Sequence, residues 1–158
     1  MNNFFTIGYQ GRGQAEMLSL IQDTHDVNIL VDVRASARSI QSDFRGEALG
    51  RSCNSRGMKY CHEPALGVPF QVRELIMASP NLESLRPEYL KIMDANGEDL
   101  ERLAGLIQSD QNRACLMCFE RDPEKCHRSV LAERLVKLTG RNVVHLFNPW
   151  SGRKGINA

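Results

Sequence analysis

The sequence has no apolar run that approaches the length of a membrane span, which sets a helical membrane protein aside. Excess charge of one sign is missing too. Twenty Lys and Arg against nineteen Asp and Glu leave a net charge of +1, so no global basic field draws the chain to nucleic acid, and only local basic clusters are left for that purpose. Aromatic residues make up 6 % of the chain, few platforms for stacking single-stranded bases. The first residues, Met1-Asn-Asn-Phe-Phe-Thr6, lack the basic-then-apolar pattern of a signal peptide. Internal repeats and low-complexity stretches are also missing, and with them the solenoid and linker classes. Cysteine is sparse and odd in number: Cys53, Cys61, Cys115, Cys118 and Cys126. Five thiols without a secretion signal argue against a disulfide framework, and reduced thiols in a cytoplasmic protein are expected.

What is present reads as one α/β domain over 1–150, with 151–158 as a mobile tail. Strand-like runs at 4–7, 28–33, 58–62, 113–118 and 143–147 alternate with helical patterns at 14–25, 45–56, 87–95, 98–109 and 126–139. Pro87 suits the first turn of its helix, and 64–80 reads as a long loop with some irregular helix. The run 28–33 is continuously β-rich, as in a parallel strand buried on both faces. This order predicts a three-layer α/β sandwich with a mainly parallel sheet.

In such sheets ligands bind at the C-terminal strand ends, and three ends carry polar residues. The first is Gly8-Tyr9-Gln-Gly-Arg-Gly13, which reads equally as an anion loop or a plain strand-to-helix turn. The second is Val31-Asp32-Val33-Arg34. Asp32 and Arg34 there form either a structural ion pair or a fork that leaves Arg34 to grip an anion, with Arg38 and Arg45 following in the same stretch. The third, Cys118-Phe-Glu120 followed by Cys126-His127-Arg128, is the most informative. A thiol at a helix N-terminus beside His and Arg is pushed toward thiolate, so Cys126 or Cys118 can be a nucleophile and Glu120 an acid or base. The blander possibility is that Cys118 fills space while Glu120 and Arg128 pair. His62 stands at a fourth strand end, as a pocket residue or a turn residue, and His145 reads as structural. A zinc site from Cys118, Cys126 and His127 is the weaker reading, because the Cys-x7-Cys-His spacing matches no standard zinc finger or ribbon; no metal and no cofactor is expected.

Thr6-Ile7-Gly8-Tyr9, Val31 to Arg34, Tyr60 to Gly67, Cys118 to Glu120 and the Cys126-His127-Arg128 triplet together make the chain resemble the family catalogued as domain of unknown function 488. Ala35-Ser36-Ala37 stands where that family commonly carries a proline. The resemblance implies a compact α/β fold and a shared polar site. A looser architectural likeness to rhodanese and cysteine-phosphatase domains departs at Glu124, where their arginine would stand.

The expected function is a small enzyme acting on an anionic, phosphorylated or nucleotide-like substrate. Cys118, Glu120 and Cys126 are the catalytic candidates, and Gly8, Tyr9, Arg34, Arg38, His62, His127 and Arg128 the binding candidates. The alternative is a non-catalytic module that grips nucleic acid or a phosphorylated ligand with Arg34, Arg38, Arg45, Arg153 and Lys154, and stacks on Tyr9, Phe44 or Phe119.

Overall fold

A computed structural model describes residues 3–77 and 82–147; the tail lies outside them. Five parallel strands, β1 (Phe4–Gly8), β2 (Ile29–Asp32), β3 (Lys59–His62), β4 (Ala114–Cys118) and β5 (Val143–Leu146), form one sheet in the order β3-β2-β4-β1-β5. The three inner strands are buried at every position, which is why their sequences read as unbroken runs. Among the described residues six helices cover the two faces: α1 (Gln14–Ser19), α2 (Gly46–Ser55), α3 (Phe70–Met77), α4 (Leu82–Ala95), α5 (Gly97–Gln108) and α6 (His127–Thr139). The predicted three-layer α/β sandwich is the observed one.

Side-chain parity divides the core in two. Phe5, Ile7, Leu30, Cys115 and Met117 pack with Met17, Leu18 and Ile21 and with Leu49 and Cys53 of α2. Phe4, Ile29, Val31, Leu116 and Cys118 pack with residues of α4, α5 and α6, including Tyr89, Leu103 and Leu131. Cys118 therefore points to the same side as the start of α6. The neighbouring strands β2 and β4 send their chains to opposite faces, and a crevice opens between their C-terminal ends.

Local departures from the sequence reading have physical causes. Pro87 stands inside α4 rather than in its first turn. Leu85, Tyr89 and Met93, spaced by four, are all buried, and that packing outweighs the lost backbone donor. The segment read as irregular loop contains the regular helix α3. The helix expected over 14–25 is α-helical only to Ser19 and continues as a π-helical turn, Leu20–Thr24.

Candidate functional site at the ends of β2 and β4

The glycine that ends β1 is required by packing. A Cβ on Gly8 would lie 1.7 Å from the Glu120 carbonyl oxygen, so only glycine lets the β4–α6 loop cross the end of β1. The Tyr9 and Gln10 amides extend the ladder by donating to the carbonyls of Cys118 and Phe119, at 3.1 and 2.9 Å, and the Arg12 amide donates to Tyr9. This segment is built as a turn, with those amides spent inside the protein. Gly67 has a similar duty: its Cβ would meet the Ala35 amide nitrogen at 2.0 Å.

At the β2 end, Asp32 is fully buried and Arg34 nearly so. Arg34 donates from Nε to Oδ1 at 2.8 Å and from Nη2 to Oδ2 at 2.6 Å, a bidentate pair, and its own amide donates to Oδ1. The Tyr60 hydroxyl donates to Oδ2 at 2.6 Å. Burial and that hydrogen bond to Asp32 hold Tyr60 well above the usual phenol range. The remaining Arg34 nitrogen, Nη1, donates to the Tyr9 hydroxyl at 3.3 Å, and that hydroxyl donates to Ser39. His62 braces the turn, its Nε2 donating to the Arg34 carbonyl at 2.6 Å, and it does not line the cavity described below. The ion-pair reading of Asp32 and Arg34 is the one the coordinates show.

The β4 end is built from sulfur and imidazole. Cys118 closes the strand and Cys126 is the N-cap residue of α6, so the 3-10 turn Pro123–Lys125 folds the two thiols together. His127 Nδ1 lies 3.8 Å from Cys118 Sγ and 3.9 Å from Cys126 Sγ. Its Nε2 is 2.9 Å from the Val33 carbonyl, which can only accept. Nε2 therefore carries a hydrogen, and Nδ1 is turned to the sulfurs. All three side chains are buried.

The two thiols titrate together. Burial opposes a charged Cys126, but the hydrogen bond from Cys118 and the adjacent His127 and Arg128 outweigh it and hold Cys126 well below the ordinary thiol range. That same hydrogen bond, with burial, pushes Cys118 well above it. Burial works against a charged His127, yet the Cys126 sulfur raises its pKa. Glu120 Oε2 is 3.8 Å from Cys118 Sγ, and its Oε1 is 3.5 Å from Arg73. Burial and the Cys126 charge push the Glu120 carboxyl up to about 7.

Arg128 does not pair with the Glu120 carboxylate. Its guanidinium is closed to solvent and donates to Thr6 Oγ1 at 3.1 Å and to the carbonyls of Glu120 and Arg121. It holds the β4–α6 loop against β1. Thr6 then passes the chain on, its hydroxyl lying 2.6 Å from His145 Nδ1. His145 is accordingly tied into the interior through Thr6, as its place in an apolar strand suggests.

A cavity of about 390 Å³ opens over both strand ends. Cys118, His127 and Arg34 line its inner part; Tyr9, Phe119 and Val68 form walls, and Arg38, Arg73 and Phe70 stand at the mouth. Of the binding candidates, Tyr9, Arg34, Arg38 and His127 line it; Gly8, His62 and Arg128 support it from behind. Arg73 and Phe70 escaped the sequence reading. They lie three residues apart on α3, on one helical face, and recognising that helix would have paired them. Phe44 is buried and stacks on Tyr9 with ring centroids 4.3 Å apart, so neither ring is open to a base. Arg45 donates to the Ser39 carbonyl at 3.1 Å.

The model of the family described as domain of unknown function DUF488 matches residues 14–135. The chain belongs to this family. The match runs from the start of α1 through most of α6 and takes in every cavity-lining residue except Tyr9. No curated protein and no solved structure matches the chain. Among the described residues no helix is long and apolar enough to cross a membrane.

Proposed function

We propose that this DUF488 protein is a small enzyme acting on an anionic substrate, phosphorylated or nucleotide-like, in the cavity at the ends of β2 and β4. One observation carries the reading: two thiols and an imidazole, their donor atoms within 4.8 Å of one another, gather at the bottom of a cavity with guanidinium groups at its mouth. The cavity's volume is in the range of small-molecule sites. Arg38 and Arg73 attract the anion, and Arg34, charge-balanced by Asp32, sets the polarity of the inner wall.

Cys118 is the sulfur that faces the substrate. As it attacks an electrophilic centre, its proton passes to Cys126, the bond to the leaving group breaks, and Glu120 hands its proton to that group. A carboxyl near pH 7 suits that exchange. Five unpaired cysteines agree with a reducing, cytoplasmic setting. A module that grips nucleic acid has less support, because Phe44 and the Tyr9 ring are packed inside.

The test is a screen of phosphorylated and nucleotide substrates, followed by Cys126→Ser and Glu120→Gln. Both substitutions should abolish turnover while circular dichroism stays unchanged. Turnover retained in both would sink the catalytic assignment. Ligand binding without turnover, undisturbed by Cys126→Ala, would identify a binder instead.

A further inference from the structure

We propose that Cys118, Cys126 and His127 form a binding site for a zinc-class divalent metal ion, with three protein donors and a fourth position that opens on the cavity. The inference stands on the geometry of the β4 end and assigns its sulfurs to a metal in place of the thiolate attack proposed above.

The donor atoms of these three buried residues all lie within 4.8 Å of one another. Zinc–sulfur bonds of about 2.3 Å and zinc–nitrogen bonds of about 2.1 Å at tetrahedral angles place sulfur and nitrogen about 3.6 Å apart. The two sulfur–nitrogen separations here, 3.8 and 3.9 Å, lie within a few tenths of an ångström of that edge. Two thiolates and one imidazole form a donor set that favours zinc over calcium or magnesium.

The imidazole is prepared for a ligand role. Its Nε2–H is fixed on the Val33 carbonyl, the outer contact that metal-bound histidines commonly make, and this turns Nδ1 toward the sulfurs. Charge points the same way. Two thiolates and a divalent ion sum to zero, which suits a buried position better than an unbalanced charge. Cys118 and His127 both line the cavity while Cys126 does not, so the vertex left open by the three donors faces the cavity. Three protein ligands and an accessible fourth position are the pattern of catalytic rather than structural zinc.

The spacing hides this site because it belongs to no finger. The sheet supplies one ligand at a strand end, and the next helix supplies two consecutive ones at its start. With metal bound, the thiolates are ligands and no longer nucleophiles. The metal and thiolate-attack readings therefore make opposite demands on the same sulfurs.

The experiment is a Co²⁺ titration of the chelator-treated full-length chain, read by thiolate-to-cobalt charge-transfer absorption and by the intense visible bands of tetrahedral cobalt. One Co²⁺ per chain should bind and be displaced by Zn²⁺. The signal should vanish in Cys118→Ser and Cys126→Ser and persist in Cys53→Ser, a buried cysteine outside the cluster. His127→Gln keeps a donor for Val33 but loses the Nδ1 ligand, and should weaken binding by at least roughly 10-fold. Should the serine variants fail to fold, the wild type suffices: Zn²⁺ should raise its thermal midpoint. Absence of thiolate–cobalt bands in the wild type, or their survival in both serine variants, would overturn the site. No cobalt bands, together with alkylation of Cys118 or Cys126 at low pH, would remove the metal and leave the thiolate enzyme standing. Cobalt held by thiolates in a protein that turns over no substrate would uphold the metal and remove the enzyme.

Discussion

The ends of β2 and β4 bring ionisable side chains to the same cavity, and they hold them in opposite ways. At β2 the charge is closed on itself: four hydrogen bonds, from the Arg34 amide, Arg34 Nε and Nη2 and the Tyr60 hydroxyl, converge on two Asp32 oxygens. At β4 the polar atoms are close but loosely bound, with sulfur contacts of 3.8 to 3.9 Å to the carboxyl and the imidazole. The first arrangement stabilises a fold and leaves little for a ligand. The second keeps negative charge in a place where burial resists it, a condition typical of working sites.

Removing each charge is the most direct way to break this comparison. Asp32→Ala strands the buried Arg34 guanidinium and should cost about 3–5 kcal/mol in denaturant unfolding. Cys126→Ala, in the same assay, strands no buried guanidinium and should cost less, about 1 kcal/mol. Equal losses would mean that the β4 cluster is as structural as the β2 pair.

Next in size is Gly8→Ala. Its Cβ cannot coexist with the Glu120 carbonyl, so the β4–α6 loop must shift, at a cost of about 1–3 kcal/mol. Alkylation of Cys118 and Cys126, followed by mass spectrometry, should change in the same variant. An unchanged thiol profile would show that the loop does not position the sulfurs.

The smallest effect is in pH. Burial, and after it the Arg128 charge, lower the His145 pKa in the folded protein. The unfolded chain therefore takes the proton first as pH falls, so His145's contribution is fully present above its unfolded pKa. It is lost as pH drops through the folded value. His145→Asn keeps an acceptor for Thr6 and should show a flatter decline of stability from neutral to mildly acid pH. The difference between the two curves isolates His145 from the opposite contribution of Glu120, whose pKa is raised. Parallel curves would remove His145 as a titrating group.

Much of this was legible in the residues. The unbroken runs that became β2 and β4 announced a parallel sheet, and a parallel sheet announced where to look. Cys118, Glu120, Cys126 and His127 were singled out together because a strand end and a helix start are adjacent in sequence. Arg34 was legible only as two options, since spacing cannot say whether a neighbouring carboxylate uses up a guanidinium. Arg128 looked like an anion-binding group because arginine beside a thiol often is one. Its partners are backbone carbonyls and a Thr6 hydroxyl 122 residues away, which no local pattern announces. Arg73 was hidden in a stretch that reads as an irregular loop and contains the helix α3.

Arg128 has a consequence for how this site can diversify. It grips the loop by the carbonyls of residues 120 and 121, groups that every amino acid carries. The Arg121 side chain still ties the loop down, buried and donating to the Gln10 carbonyl at 3.2 Å, while the neighbouring Phe119 lines the cavity. Substitution at 119 can retune what the cavity accepts while the scaffold stays put. Arg128 itself has no such latitude: lysine offers one ammonium where a planar fork reaches three acceptors.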